Sequence, residues 1–165
     1  MLKFFFKAIA PSQKMGAMAF CFFISLITSA QFVPSNRSIE KVNTLIKQFY
    51  GDNVVLASLQ MNSNYQSIKR NGEILGYSCV EEAPSKHDKF EFVVLYDHLL
   101  NIVQVKVLVY REDYGFEIKS KRWLKQFTSR EVSKVQAISG ATISVNSFKY
   151  AVDQLNKNMR ANILK

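Results

Sequence analysis

Lys89-Phe90-Glu91-Phe92-Val93-Val94-Leu95-Tyr96 and, five residues on, Ile102-Val103-Gln104-Val105-Lys106-Val107-Leu108-Val109-Tyr110 decide the fold of this chain. Both runs are rich in β-branched and aromatic residues, which suit a pleated, half-buried surface. Both repeat every second residue, the period of a strand. Phe90, Phe92, Val94 and Tyr96 alternate with Glu91, Val93 and Leu95, and Val103, Val105, Val107 and Val109 are expected to share one face. Asp97 to Asn101 joins the two strands as a hairpin loop.

Upstream, Val54 to Met61 reads as a strand, Asn62-Ser63-Asn64 as a turn, and Tyr65 to Lys69 as a second strand. Asn71-Gly72 is a strong hairpin signal leading into Glu73 to Val80. The polar stretch Glu81 to Asp88, with Pro84, reads as a loop. Helices bracket these strands. Arg37 to Tyr50 places Ile39, Val42, Leu45, Ile46 and Phe49 at helical spacing, and Gly51-Asp52 ends it. Downstream, Arg111 to Gly115 is a polar loop. Ser120 to Phe127 is a short helix with Trp123, Leu124 and Phe127 inward, and Val132 to Ile138 is an extended piece. A long amphipathic helix follows, with Ser144 as its expected N-cap and Val145, Phe148, Val152, Leu155 and Met159 on one face. The fold class is therefore α+β: an antiparallel twisted sheet flanked by an N-terminal helix, a short helix and a long C-terminal helix.

The 165 residues suffice for one compact domain. Residues 1–30 read as something else. Lys3, Lys7 and Lys14 precede the apolar run Gly16 to Ala30, which ends Thr28-Ser29-Ala30. That is the pattern of a signal peptide cleaved after Ala30, or of an uncleaved N-terminal membrane anchor. Either way residues 31–165 form the domain, and it is expected to be exported, to the periplasm or the outer face of the cytoplasmic membrane. Loss of the leader would remove three of the lysines behind the net charge of +9. The remaining positive charge serves solubility, or suits acidic headgroups and phosphate-bearing ligands. Export argues against nucleic acid as a partner. Beyond the leader Cys79 is the sole cysteine, so no internal disulfide can form there. His87 and His98 stand in loops without companion ligands, and no catalytic triad order or paired carboxylates suggest a hydrolase.

Ser139-Gly140-Ala141-Thr142, directly ahead of the last helix, carries the chemistry. Gly140 tolerates left-handed backbone angles, and its small neighbours let a ligand approach the main chain. Thr142 offers a hydroxyl beside a helix N-terminus, where a phosphate is favoured. By itself such a tetrapeptide is as readily a capping turn. Several further pieces stand in order with it: Gly76-Tyr77, the strand pair with its Asp97 turn, Tyr110-Arg111-Glu112-Asp113-Tyr114-Gly115, Trp123-Leu124 with Phe127, and Gln136-Ala137-Ile138-Ser139-Gly140-Ala141-Thr142-Ile143.

In these pieces, over about Gly76 to Met159, the sequence resembles the FMN-binding domain family. That family is best known from the G subunit of the Rnf electron-transport complex and the C subunit of the sodium-translocating NADH:quinone reductase, and includes small standalone exported proteins. The resemblance implies an extracytoplasmic FMN-binding electron-transfer protein, a redox carrier rather than a stand-alone enzyme. It implies FMN held as a phosphoester on Thr142, installed from FAD by a metal-dependent flavin transferase. Ser139, Gly140, Ala141, Ile143, Glu112, Gly115, Trp123 and Tyr77 are its implied neighbours; Lys119, Lys121, Arg122 or Lys125 would add countercharge or, taken one by one, serve as solvated surface charges. A membrane or periplasmic redox partner is implied as well. Trp123 would pack against the flavin ring or serve as a core tryptophan, and Glu112 would bond the flavin or brace its loop. Four residues depart from the family pattern. Gln136 stands where the motif usually begins with Asp; Asp113, Tyr114 and Phe116 differ from a loop that often reads Glu-Thr-Pro-Gly or has paired glycines, while Glu112 and Gly115 are kept, and Phe116 would narrow the site. They leave open non-covalent FMN, or a non-redox exported binding module that keeps the fold.

Overall fold

The computed structural model describes residues 32–164; the expected leader lies outside the described residues. The element order is α1 (Asn36–Tyr50), β1 (Val55–Leu59), β2 (Asn62–Arg70), β3 (Glu73–Pro84), β4 (Lys89–Asp97), β5 (Ile102–Val109), α2 (Lys121–Leu124), α3 (Gln126–Ser129) and α4 (Thr142–Ile163). Single 3₁₀ turns at Phe116–Lys119 and Val132–Lys134 flank α2 and α3. The five strands form one antiparallel meander in the order β1-β2-β3-β4-β5. The α+β expectation holds. Among the described residues, no helix is long and apolar enough to cross a membrane.

Helices cover both faces of the sheet, so the central strand β4 is buried on both sides. That explains why Val93 and Leu95 are as apolar as Phe90 and Phe92. On one face Val42, Leu45 and Ile46 of α1 pack on Ile68, Val80, Val93, Leu95 and Leu108. Ile39 and Phe49 of the same helix remain about half exposed. On the other face lies the larger core, where Val145, Phe148, Val152, Leu155 and Met159 of α4 are all buried. Phe148 is its hub. Its ring lies 4.7 Å from Phe92, 5.5 Å from Phe90, 5.3 Å from Phe127 and 5.6 Å from Trp123. Edge and tilted contacts of this kind add to area burial.

Several local expectations are corrected. The first hairpin turns at Gln60-Met61, and Asn62 to Asn64 already belong to β2. Glu81 to Pro84 continue β3, paired in register with Phe92 to Lys89. Alternation keeps Ala83 buried there, while the Tyr65 hydroxyl bonds Glu81. Val103, Val105, Val107 and Val109 do not share a face, because β5 is bulged at both ends, where its pairing with β4 shifts. Val105 and Val107 join the α4 core, while Val103 and Val109 pack with the α1 core. The stretch Ser120 to Phe127 is broken into α2 and α3, and Val132 to Lys134 form a 3₁₀ turn rather than extended chain. Ser144 is not the N-cap: α4 begins at Thr142, and Ser144 is buried within its first turn.

Candidate functional site

The turn Ile138–Ala141 is closed by the Ala141 amide, which donates to the Ile138 carbonyl at 3.3 Å. Gly140 takes φ +83° there, and a Cβ at that position would meet open space, so the turn is both left-handed and approachable. Ala141 is buried and anchors the turn, whereas Ser139, Thr142 and Ile143 are exposed. The hydroxyl of Thr142 therefore stands free at the first residue of α4. No side chain caps this helix start, and no acidic residue occupies its first turn. Its amides carry the positive end of a 22-residue helix.

A pocket of about 290 Å³ opens at this point, lined by Gly140 to Ser144 on one side and by Glu112, Tyr114, Gly115 and Lys86 on the other. Gly115 makes the approach possible. It is buried with φ +75°, and a Cβ would meet the Tyr110 hydroxyl at 2.8 Å and lie 3.6 Å from the Ala141 Cβ. The Tyr110 hydroxyl ties the loop to the helix. It donates to the Tyr114 carbonyl at 2.7 Å and shares a 3.0 Å bond with Ser144 Oγ. Glu112 braces the β3–β4 turn. Its Oε1 accepts from Ser85 Oγ and the His87 amide, both at 2.5 Å, and from the Asp88 amide at 2.9 Å. These bonds, led by that from Ser85, hold its carboxyl below the usual carboxylate range. They also fix the turn that carries Lys86 to the pocket.

A larger pocket, about 610 Å³, lies on the other side of the same turn and loop. Phe116 and Ile138, neighbours of the first pocket's Gly115 and turn, line it together with Trp123, Lys119, Arg122 and Gln136. Trp123 is only 5% exposed; its ring packs on Phe127 and Phe148, and its indole N–H donates to the Gln136 carbonyl at 2.7 Å. It is a core tryptophan that fixes the motif's main chain. Phe116, 54% exposed, is the aromatic side chain with ring surface open in this pocket.

Seven of the nine residues expected at the site line these two pockets, and Ser139 stands exposed in the turn between Ile138 and Gly140, which line one pocket each. Tyr77 lines neither. It is buried opposite Tyr96, at the far end of the sheet from Thr142. Its neighbour Gly76 serves packing, because a Cβ there would meet the Tyr96 carbonyl oxygen at 2.1 Å. The countercharge expectation is corrected too. Lys119 and Arg122 line the larger pocket, Lys121 and Lys125 lie elsewhere, and Lys86 is the cation lining the Thr142 pocket. Sequence reading missed Lys86 because the fold alone brings residues 86 and 142 together. Tyr110 and Ser144 were visible as letters but not as a bonded pair.

An uncapped helix start offers unpaired amides to an anion, and the pockets beside it are largely apolar. Residues 86–157 match the model of the FMN-binding domain family. The match supports flavin binding. It contains every residue of the two pockets and excludes Tyr77. No curated protein matches the chain.

Proposed function

We propose that this protein is an extracytoplasmic electron carrier whose FMN is joined through its phosphate to Thr142 Oγ1. The observation that carries the reading is the exposed Thr142 hydroxyl at an uncapped helix start, facing a pocket that Lys86 also lines. In maturation, Thr142 Oγ1 would take the flavin-side phosphoryl group of FAD on a metal-dependent flavin transferase, with the P–O bond to AMP broken, AMP leaving and the hydroxyl proton released. The α4 amides and Lys86 would hold the resulting phosphodiester. Bound FMN supplies one- and two-electron redox chemistry. Phe116 offers the ring a stacking face, Trp123 holds the motif in place, and the apolar wall limits water. The N-terminal segment, as signal or anchor, delivers the domain to the outer side of the membrane, where a membrane or periplasmic redox partner exchanges electrons with it. The test is coexpression with a flavin transferase. A yellow protein with an adduct of FMN less one water on Thr142 supports the reading; colourless, unmodified protein rejects it.

A second reading rests on Gln136. Its main chain is held by Trp123 and by Gln126 Oε1, 3.1 Å from its amide, while its side chain lines the larger pocket. If a transferase requires Asp there, Thr142 stays unmodified and the pockets take FMN non-covalently or serve a non-redox exported module. Titration of the unmodified protein with free FMN separates these: a perturbed flavin spectrum marks non-covalent binding, and an unchanged one marks the non-redox module.

A further inference from the structure

Among the described residues β5 pairs with β4 on one side and with no strand on the other. A cleft of about 540 Å³ runs along that free edge. Its floor is the consecutive run Val103 to Val107. One wall is α1, with Leu45 and the half-exposed Phe49; the other is Lys119 and the α2–α3 segment. The two register shifts bracket a regular stretch, Gln104 to Val107, so four residues of edge remain straight. Lys106, Lys119, Lys121 and Lys125 line the cleft, and no carboxylate does. Among the described residues none of these four lysines forms an ion pair. Their field reaches Lys41, which donates to the Leu108 carbonyl at the end of the same strand. Burial first, then the charges of Arg37, Lys106 and Lys119, hold the Lys41 ammonium below its ordinary value, against a small opposing pull from Glu91.

We propose that this cleft docks an acidic segment of a partner protein, laid in extended form along β5. Four cations line one cleft without an anion, and an acidic chain would complement their charge. A free strand edge offers main-chain hydrogen bonds, and the apolar floor takes alternate side chains. A second copy would set lysines against lysines. A flat anionic bilayer cannot enter a cleft walled on both sides. Lys119 lines this cleft and the pocket of Phe116 and Trp123 alike, so the docked segment lies beside the proposed flavin. That the partner exchanges electrons rests on the flavin reading; the docking itself does not.

The probe is a fluorescent decaglutamate peptide, with the full chain expressed with and without a flavin transferase. Anisotropy at low ionic strength reads binding. The variant Lys106→Glu/Lys121→Glu/Lys125→Glu is expected to lose about tenfold or more in affinity, while the charge-matched Arg130→Glu/Lys134→Glu/Lys157→Glu loses about twofold or less. On the unsubstituted chain, the peptide is expected to slow amide exchange at Gln104 to Val107, which needs no variant to fold. Equal loss in both variants, absence of peptide binding, or unchanged exchange along β5 would overturn the proposal. So would binding to phosphatidylcholine–phosphatidylglycerol vesicles through these same lysines with the peptide ignored. Docking by the chain made without transferase, alongside a failed flavin adduct, would leave the cleft standing and remove only the flavin reading.

Discussion

Among the described residues two helices are longer than four residues, and their starts are finished differently. At α1, Ser35 caps the helix, its Oγ accepting from the Ser38 amide. The buried carboxylate of Glu91, 2% exposed, closes the end: its Oε2 accepts from Ser38 Oγ at 2.6 Å, Ser35 Oγ at 3.0 Å and the Ser35 amide at 3.1 Å, and Arg111 pairs with Oε1. At α4 the cap is absent, the first turn carries no acid, and an exposed threonine stands where an anion would sit. Helix starts need their amides satisfied. One therefore uses the protein's own anion to fasten a helix to the sheet, and the other is left uncapped, as the proposed phosphate site requires. A closed start predicts a stability role, an open start a binding role.

Glu91→Gln breaks the comparison at its strongest point. Removing the charge strands Arg111 and several donors, and the variant is expected to lose about 3 kcal/mol, read from the denaturant midpoint. The pH dependence follows. Burial pushes the Glu91 carboxyl up, but bonds from Ser38, the Ser35 amide, Arg111 and the Ser35 hydroxyl outweigh it and leave it below the ordinary value of 4.5. A depressed folded value means the contribution is complete above about pH 4.5 and fades as pH falls through the lower folded value. Glu91→Gln should flatten the acid limb of the stability curve.

Gly115→Ala comes next. The residue would need a left-handed backbone and would push on the Tyr110 hydroxyl, at an expected cost of about 1–2 kcal/mol. Because Tyr110 and Ala141 share that contact, free-FMN binding should weaken in the same variant, by fluorescence titration. Lys86→Ala is expected to leave stability unchanged and lower FMN affinity by about 0.5–1 kcal/mol, with the difference shrinking as salt is raised. Thr142→Ala should also be mild in stability, within about 0.5 kcal/mol by thermal melting, since the side chain is exposed and caps nothing. A large loss there would mean that the hydroxyl belongs to the fold.

Much of this contrast was legible beforehand. The α4 start was marked by Gly140 and the apolar stripe from Val145 to Met159, which is local information. The α1 start was not. Glu91 reads as a solvent-facing residue in an alternating strand, yet that face of β4 is covered by α1, and only the packing of a second layer shows it. The end of β3 was hidden for a related reason. Glu81, Glu82 and Pro84 look like loop, but pairing to Phe92, Glu91 and Lys89 keeps them in the sheet. The register shifts at Val103 and Leu108 leave no letter pattern, since valines and leucines occupy both faces. Tyr77 was misplaced because resemblance orders residues along a chain, whereas the sheet carries them to opposite ends.

The proposed attachment of FMN to Thr142 changes the mass of the chain. The most direct measurement is the intact mass of the chain recovered after coexpression with a flavin transferase, beside Thr142→Ala treated identically. The account predicts an added FMN less one water on the unsubstituted chain and no addition on Thr142→Ala. Unmodified mass for both, or the same adduct on both, would contradict it.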